Sequence, residues 1–229
     1  MSLILTEKTE SERTNRQTLS RWGIYTVGML VLAMGLTLNT KTGLGVSPIL
    51  SLAYCSTRIW GISLGDATFV LYALFVIAQL ILRGKRRQWY DLLQLPLSLV
   101  FSRVLNVYDR WVTYDPARHG LAANLVCLAL AILVTGVGVS MTVNMRLVPN
   151  PGDGIVQAIA DLMGRDQGFA KNCFDLVCVA LTVILSLVML GKVAAVGLGT
   201  VLAMVGVGRA ISLVNHFFKD KMCRAAGML

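Results

Sequence analysis

Residues 140–168 read SMTVNMRLVPNPGDGIVQAIADLMGRDQG. An apolar run ends at Met145, and Asn150 then stands between Pro149 and Pro151. Asparagine is a favoured helix N-cap because its side chain accepts from the first free N–H groups. Proline fits the first helical position, where no N–H is needed. From Gly152 to Met163, apolar and polar residues alternate at helical spacing. The stretch predicts a helix that starts abruptly at Asn150 and is too short to cross a bilayer, which takes about 20 residues. Residues 43–65, GLGVSPILSLAYCSTRIWGISLG, have the same design, with Ser47 as cap, Pro48 first and Gly61 closing the helix.

The two stretches share one register. Gly35, Pro48, Gly61 and Gly65 align with Gly138, Pro151, Gly164 and Gly168 at a constant offset of about a hundred residues. Further on, Gly84-Lys85 aligns with Gly191-Lys192, and Arg103 with Arg209 in a slightly shifted register. The pattern predicts an internal repeat.

Composition sets the class. Of 229 residues, 55% are apolar and 14% charged, with a mean hydropathy of +0.68. Several apolar runs are long enough to span a membrane as helices. This leaves one membrane domain and no room for a soluble catalytic domain. The net charge of +9 reads as Lys and Arg gathered at cytoplasmic membrane edges, where they set orientation and meet anionic lipid. The partner it implies is the lipid bilayer, not nucleic acid. The N-terminal residues lack the pattern of a cleavable signal peptide. The five cysteines are scattered and match no zinc or haem spacing, so no metal or cofactor is expected. His119 falls in a loop and His216 at a helix end, and the spans carry no Ser/His/Asp set, HExxH or paired aspartates of protease type. An enzyme is not expected.

Read in order, residues 1–21 form a basic cytoplasmic tail, and residues 22–217 a single membrane domain. Spans are expected over 22–42, 64–82, 90–107, 122–144, 169–190 and 193–217, with the short helices at 47–60 and 150–163. The third span is the poorest, interrupted by Gln94, Pro96 and Arg103. Residues 218–229 form a second cytoplasmic tail. The basic tails, the Arg83, Lys85, Arg86, Arg87 cluster and the 146–171 connection all fall inside if both termini are cytoplasmic. The fold expected is an all-α membrane protein. It has about six transmembrane helices in two inverted three-helix repeats, 22–107 and 122–217, each with a short proline-initiated helix. Inversion follows from the odd number of spans per repeat, which makes the second copy enter from the opposite side.

A helix too short to span is tolerated at membrane depth only where protein encloses it or it lines a wet cavity. Its N-terminus offers unpaired N–H groups and about half a positive charge. Two such ends meeting at the midplane would make a polar focus for a small polar or anionic solute; the alternative is that both short helices lie flat at the interface, as amphipathic helices do. The expected solute site comprises Ser47, Pro48, Ser51, Asn150, Pro151, Gly152, Asp153 and Gly154. Asp153 sits in the first turn, where a carboxylate opposes the dipole and completes a cap, or carries a coupling proton or cation. Copy one has Leu50 in its place. Intramembrane polar residues usually face a cavity or a partner, which makes Asn39, Tyr72, Arg103, Asn144, Asn172, Asp175 and Arg209 candidates for a polar pathway. If Arg103 and Arg209 are central, Asp175 is their nearest partner by depth; if they stand near the helix ends, they snorkel to the interface instead.

GLGVSP at 43–48, NPGDG at 150–154, the spaced Gly61, Gly65, Gly164 and Gly168, and GLGT at 197–200 together resemble the YczE/YyaS/YitT family of bacterial membrane proteins. The resemblance covers residues 22–215. Copy one departs from it in having no acid at Leu50 and QLPLS at 94–98 where copy two has GLGT. It implies a multi-pass protein of the bacterial inner membrane and a transporter of unnamed substrate. A passive channel, or a non-transporting membrane partner that regulates or assembles another complex, is the alternative. Homo-oligomerisation is left open.

Overall fold

The computed structural model describes residues 14–84 and 90–228. Lys8 and Arg13 of the basic tail, and Lys85, Arg86 and Arg87 of the basic cluster, lie outside the described residues. The chain forms an all-α membrane protein. Its helices are α1 (Asn15–Lys41), α2 (Pro48–Trp60), α3 (Leu64–Arg83), α4 (Tyr90–Trp111), α5 (Leu121–Asn144), α6 (Pro151–Met163), α7 (Gln167–Leu190) and α8 (Leu198–Ala225). A 3-10 turn, Pro116–Arg118, precedes α5. The order long, short, long, long occurs twice.

Five of these helices, α1, α3, α5, α7 and α8, are long and apolar enough to cross a membrane. The expected third span, α4, is long enough at 22 residues but carries Asp91, Gln94, Pro96 and Arg103. The terminal helices also outrun their expected limits. α1 starts at Asn15, where the Thr14 N–H donates to Gln17 Oε1 at 3.0 Å. α8 continues through residues expected to be a tail, and Cys223, Ala226 and Met228 pack on Tyr25 and Met145.

Local chemistry explains the short helices. α6 starts where Asn150 Oδ1 accepts from the Gly152 N–H at 3.0 Å, and both helices have proline at their first position. Both end on a glycine in the left-handed region, Gly61 at φ 67° and Gly164 at φ 60°, a conformation that side chains with a Cβ rarely adopt. Ser47 does not cap as expected. Its side chain makes no cap hydrogen bond, and its backbone N–H instead donates to Asn39 Oδ1 at 2.9 Å.

The packing centre is the crossing of α1 on α5. There a Cβ on Gly35 would overlap Thr135, and one on Gly138 would overlap Leu32. Leu32 and Thr135 correspond in the repeat register, as Gly35 and Gly138 do, so the same contact is made twice. The short helices cross over: α2 packs on α7 and α6 on α3. The buried Ser51 and Thr182 hydroxyls hydrogen-bond at 2.8 Å. At the corresponding place, Gly154 leaves room for the larger Gln79, into which a Cβ would intrude. Symmetry fails at one seam. α3 and α4 are closely packed, and the Gly65 N–H donates to Asn106 Oδ1 at 2.7 Å. α7 and α8 scarcely touch.

Candidate functional site

The first turns of α2 and α6 meet inside the helix bundle. A Cβ on Gly152 would stand 3.4 Å from Ile49 Cδ1. Beside this junction is a cavity of about 340 Å3. Ser47, Pro48, Asn150, Gly152 and Asp153 line it from the two helix starts, and Tyr72, Lys171 and Asp175 from α3 and α7. The opposite wall is apolar: Leu36 of α1, Val139 and Val143 of α5, and Met204, Val207 and Ile211 of α8. Because α8 stands off α7, the cavity lies on the loose side of the bundle.

The charged groups differ in environment. Asp175 is 1% exposed, and Lys171, one turn before it, places Nζ 3.1 and 3.2 Å from its two oxygens. Asp153 is half-buried; its N–H donates to Asn150 O at 2.9 Å, and its carboxylate makes no hydrogen bond or ion pair among the described residues. It caps nothing, contrary to expectation, because Asn150 already holds that position.

Behind Tyr72 and Asn150, which line both spaces, is a second compartment of about 20 Å3. Tyr25, Gln94, Ser98 and Phe101 close it. Its volume admits a single water. Stacking of Tyr72 on Phe101 with centroids 6.1 Å apart closes this half of the molecule. Gln79 and Gln94 are fully buried next to Gly154. Gln79 Nε2 and Arg83 Nη1 both donate to Asp91 Oδ1, at 2.7 and 2.6 Å. Gln79 Oε1 and both amide atoms of Gln94 have no partner among the described residues.

The other candidates fall elsewhere. Ser51 and Gly154 lie in the first turns but face α7 and α3, and Pro151 faces the small compartment. Asn39 supports the α2 entry. Asn144 Nδ2 donates to Asn215 Oδ1 at 2.7 Å, tying α5 to α8. Asn172 and Arg209 are exposed on their helices. Asp175 partners neither Arg103 nor Arg209. Arg103 instead reaches Asp66 at 2.9 Å on the exposed face of α3, because α4 packs on α3 and not on α7. Gln79, Lys171, Thr135 and Thr182 were missed. The readable signal for Lys171 was its spacing of four from Asp175, which stacks the two on one helix face.

The profile of a family of unknown function, DUF6198, matches residues 19–216. The chain belongs to this family. It is similar to the uncharacterized protein YyaS of Bacillus subtilis strain 168, at 24% identity over 182 residues, covering 78% of this chain and 84% of YyaS. It is also similar to the uncharacterized membrane protein YczE of the same organism, at 25% identity over 158 residues, covering 68% and 70%. The expected resemblance to YczE and YyaS is borne out by these two relatives. No solved structure matches.

Proposed function

We propose that this DUF6198 protein is a transporter of a small polar solute, bound in the 340 Å3 cavity between the two proline-started helices. The observation that carries the reading is the meeting of two non-spanning helix starts beside a cavity that holds an unpaired carboxylate, Asp153. Irregular backbone and intramembrane charge are both costly in lipid, and they persist where a pathway needs them.

On this reading the halves 22–107 and 122–217 are inverted repeats in a bacterial inner membrane, with both termini cytoplasmic. Support comes from the repeated helix order and the exchanged packing of α2 on α7 and α6 on α3. The difference between the tight α3–α4 seam and the loose α7–α8 seam is what one state of an alternating-access carrier would display. The other state would exchange the two. Asn150 and Ser47 shape the site, and Asp153 holds the solute or a coupling cation.

The test is counterflow into vesicles carrying the purified protein, screened with labelled amino acids, organic acids, polyols and small anions. A solute that accumulates saturably in wild type and not in Asp153→Asn supports a carrier. Flux that does not saturate means a channel. Absence of flux with every class moves the molecule to the role of a membrane partner.

A further inference from the structure

The cavity has two unlike poles and an apolar wall. Lys171 contacts both oxygens of Asp175 at 3.1 and 3.2 Å and also acts electrostatically on Asp153, so two carboxylates share one ammonium, and the one without a direct contact is Asp153. The other pole is the start of α2. Its first intrahelical bond runs from the Ser51 N–H to Ser47 O at 2.9 Å, and the Ser47 side chain caps nothing. The Ile49 and Leu50 N–H groups therefore have no partner within the helix. α6 differs, since Asn150 occupies its first N–H groups. A third feature points to a ligand independently. Thr135 lines the cavity, is 6% exposed, and its hydroxyl makes no hydrogen bond among the described residues. Its Oγ1 lies beside Gly35 of α1, at the edge of the cavity, and is free to take a partner from within it.

We propose that the cavity binds a zwitterionic α-amino acid with an apolar side chain. The ammonium group meets Asp153, and the carboxylate meets the free N–H groups of α2 and the Ser47 hydroxyl. The side chain lies against Val139, Val143, Met204, Val207 and Ile211. The proposal rests on the cavity being the solute site and names the solute's class. A simple anion would face Asp153 with no cation free to offset it. A bare metal cation would find one carboxylate and a largely apolar wall, far short of the oxygen shell such ions take. A plain amine would leave the α2 pole unused.

The experiment is calorimetric titration of the detergent-purified full chain with L-leucine and L-phenylalanine. Two half-ligands accompany them: 3-methylbutylamine, which lacks the carboxylate, and 4-methylpentanoate, which lacks the ammonium. Both half-ligands are expected to bind at least about tenfold more weakly than leucine, as loss of a charge-assisted contact requires. Asp153→Asn should remove leucine binding. Its melting curve and elution volume report whether it folds. Val207→Trp, which fills the apolar wall and leaves both poles intact, should reject phenylalanine more strongly than alanine. The proposal is overturned if the amine binds as well as leucine, if the carboxylate alone does, or if no apolar amino acid binds. Leucine binding without leucine flux in vesicles would keep the class and sink the transport reading. Flux of another solute without leucine binding would do the reverse.

Discussion

Asn150 and Ser47 occupy the same place in the two copies and do different work. Asn150 accepts the Gly152 N–H at 3.0 Å, whereas Ser47 caps nothing. Asn150→Ala should therefore cost about 1 kcal/mol, the usual loss for a removed N-cap. Ser47→Ala should leave thermal stability nearly unchanged. Melting curves of the two variants in one detergent decide this, and equal losses would mean that Ser47 caps after all. Gly35 makes a similar contrast with Gly23. A Cβ at Gly35 would overlap Thr135, while nothing lies within 4 Å of the position a Cβ would take at Gly23. Gly35→Ala is expected to destabilise by about 1–3 kcal/mol, as overpacking does, and Gly23→Ala to be tolerated. At this scale the sequence was legible wherever backbone chemistry is local, as at Asn150-Pro151 and at Gly61 and Gly164. It was silent on Gln79, Thr135 and Thr182, because which face of an all-apolar helix turns inward depends on neighbours that the sequence does not display.

Among the elements, the tight α3–α4 seam and the loose α7–α8 seam set the two halves apart. Asp66 and Arg103 join α3 to α4 across an exposed ion pair. The corresponding residues across the loose seam are Phe169 and Arg209. A chain freed of its cysteines and given the pair Asp66→Cys and Arg103→Cys should be joined readily by a short bifunctional thiol reagent. The pair Phe169→Cys and Arg209→Cys should react poorly, and on the carrier proposal its reaction should quicken when solute is added. Equal reaction of both pairs without solute would remove the asymmetry. Helix α4 shows why hydropathy alone undercounts. Its polar residues Asp91 and Gln94 face α3 and α6, where Asp91 takes hydrogen bonds from Gln79 and Arg83. The helix is poor in apolar residues because part of its polar content is spent inward. The short helices, in contrast, announced themselves, since proline and glycine punctuate the chain whatever it packs against.

For the molecule as a whole, the α1–α5 crossing is the axis about which the two halves are arranged, and the Gly35–Gly138 register made it visible in the sequence. The loose seam was not visible, because Gly65 and Gly168 look alike until their neighbours are known. Gly65 meets Ser102 and Asn106, but Gly168 meets only Asp166 within 4 Å. The small compartment behind Tyr72 and Asn150 bears on what the membrane must withstand. At about 20 Å3 it admits one water, and a sodium or chloride ion passing there would have to shed its shell against Phe101 and Leu97. The molecule should accordingly be an electrical insulator in this state. Vesicles carrying it are expected to hold a potassium diffusion voltage as long as protein-free vesicles do, read with a potential-sensitive dye. A rapid collapse of that voltage would mean a continuous pore, whereas a steady one means that a cell can keep many copies in its membrane without discharging it.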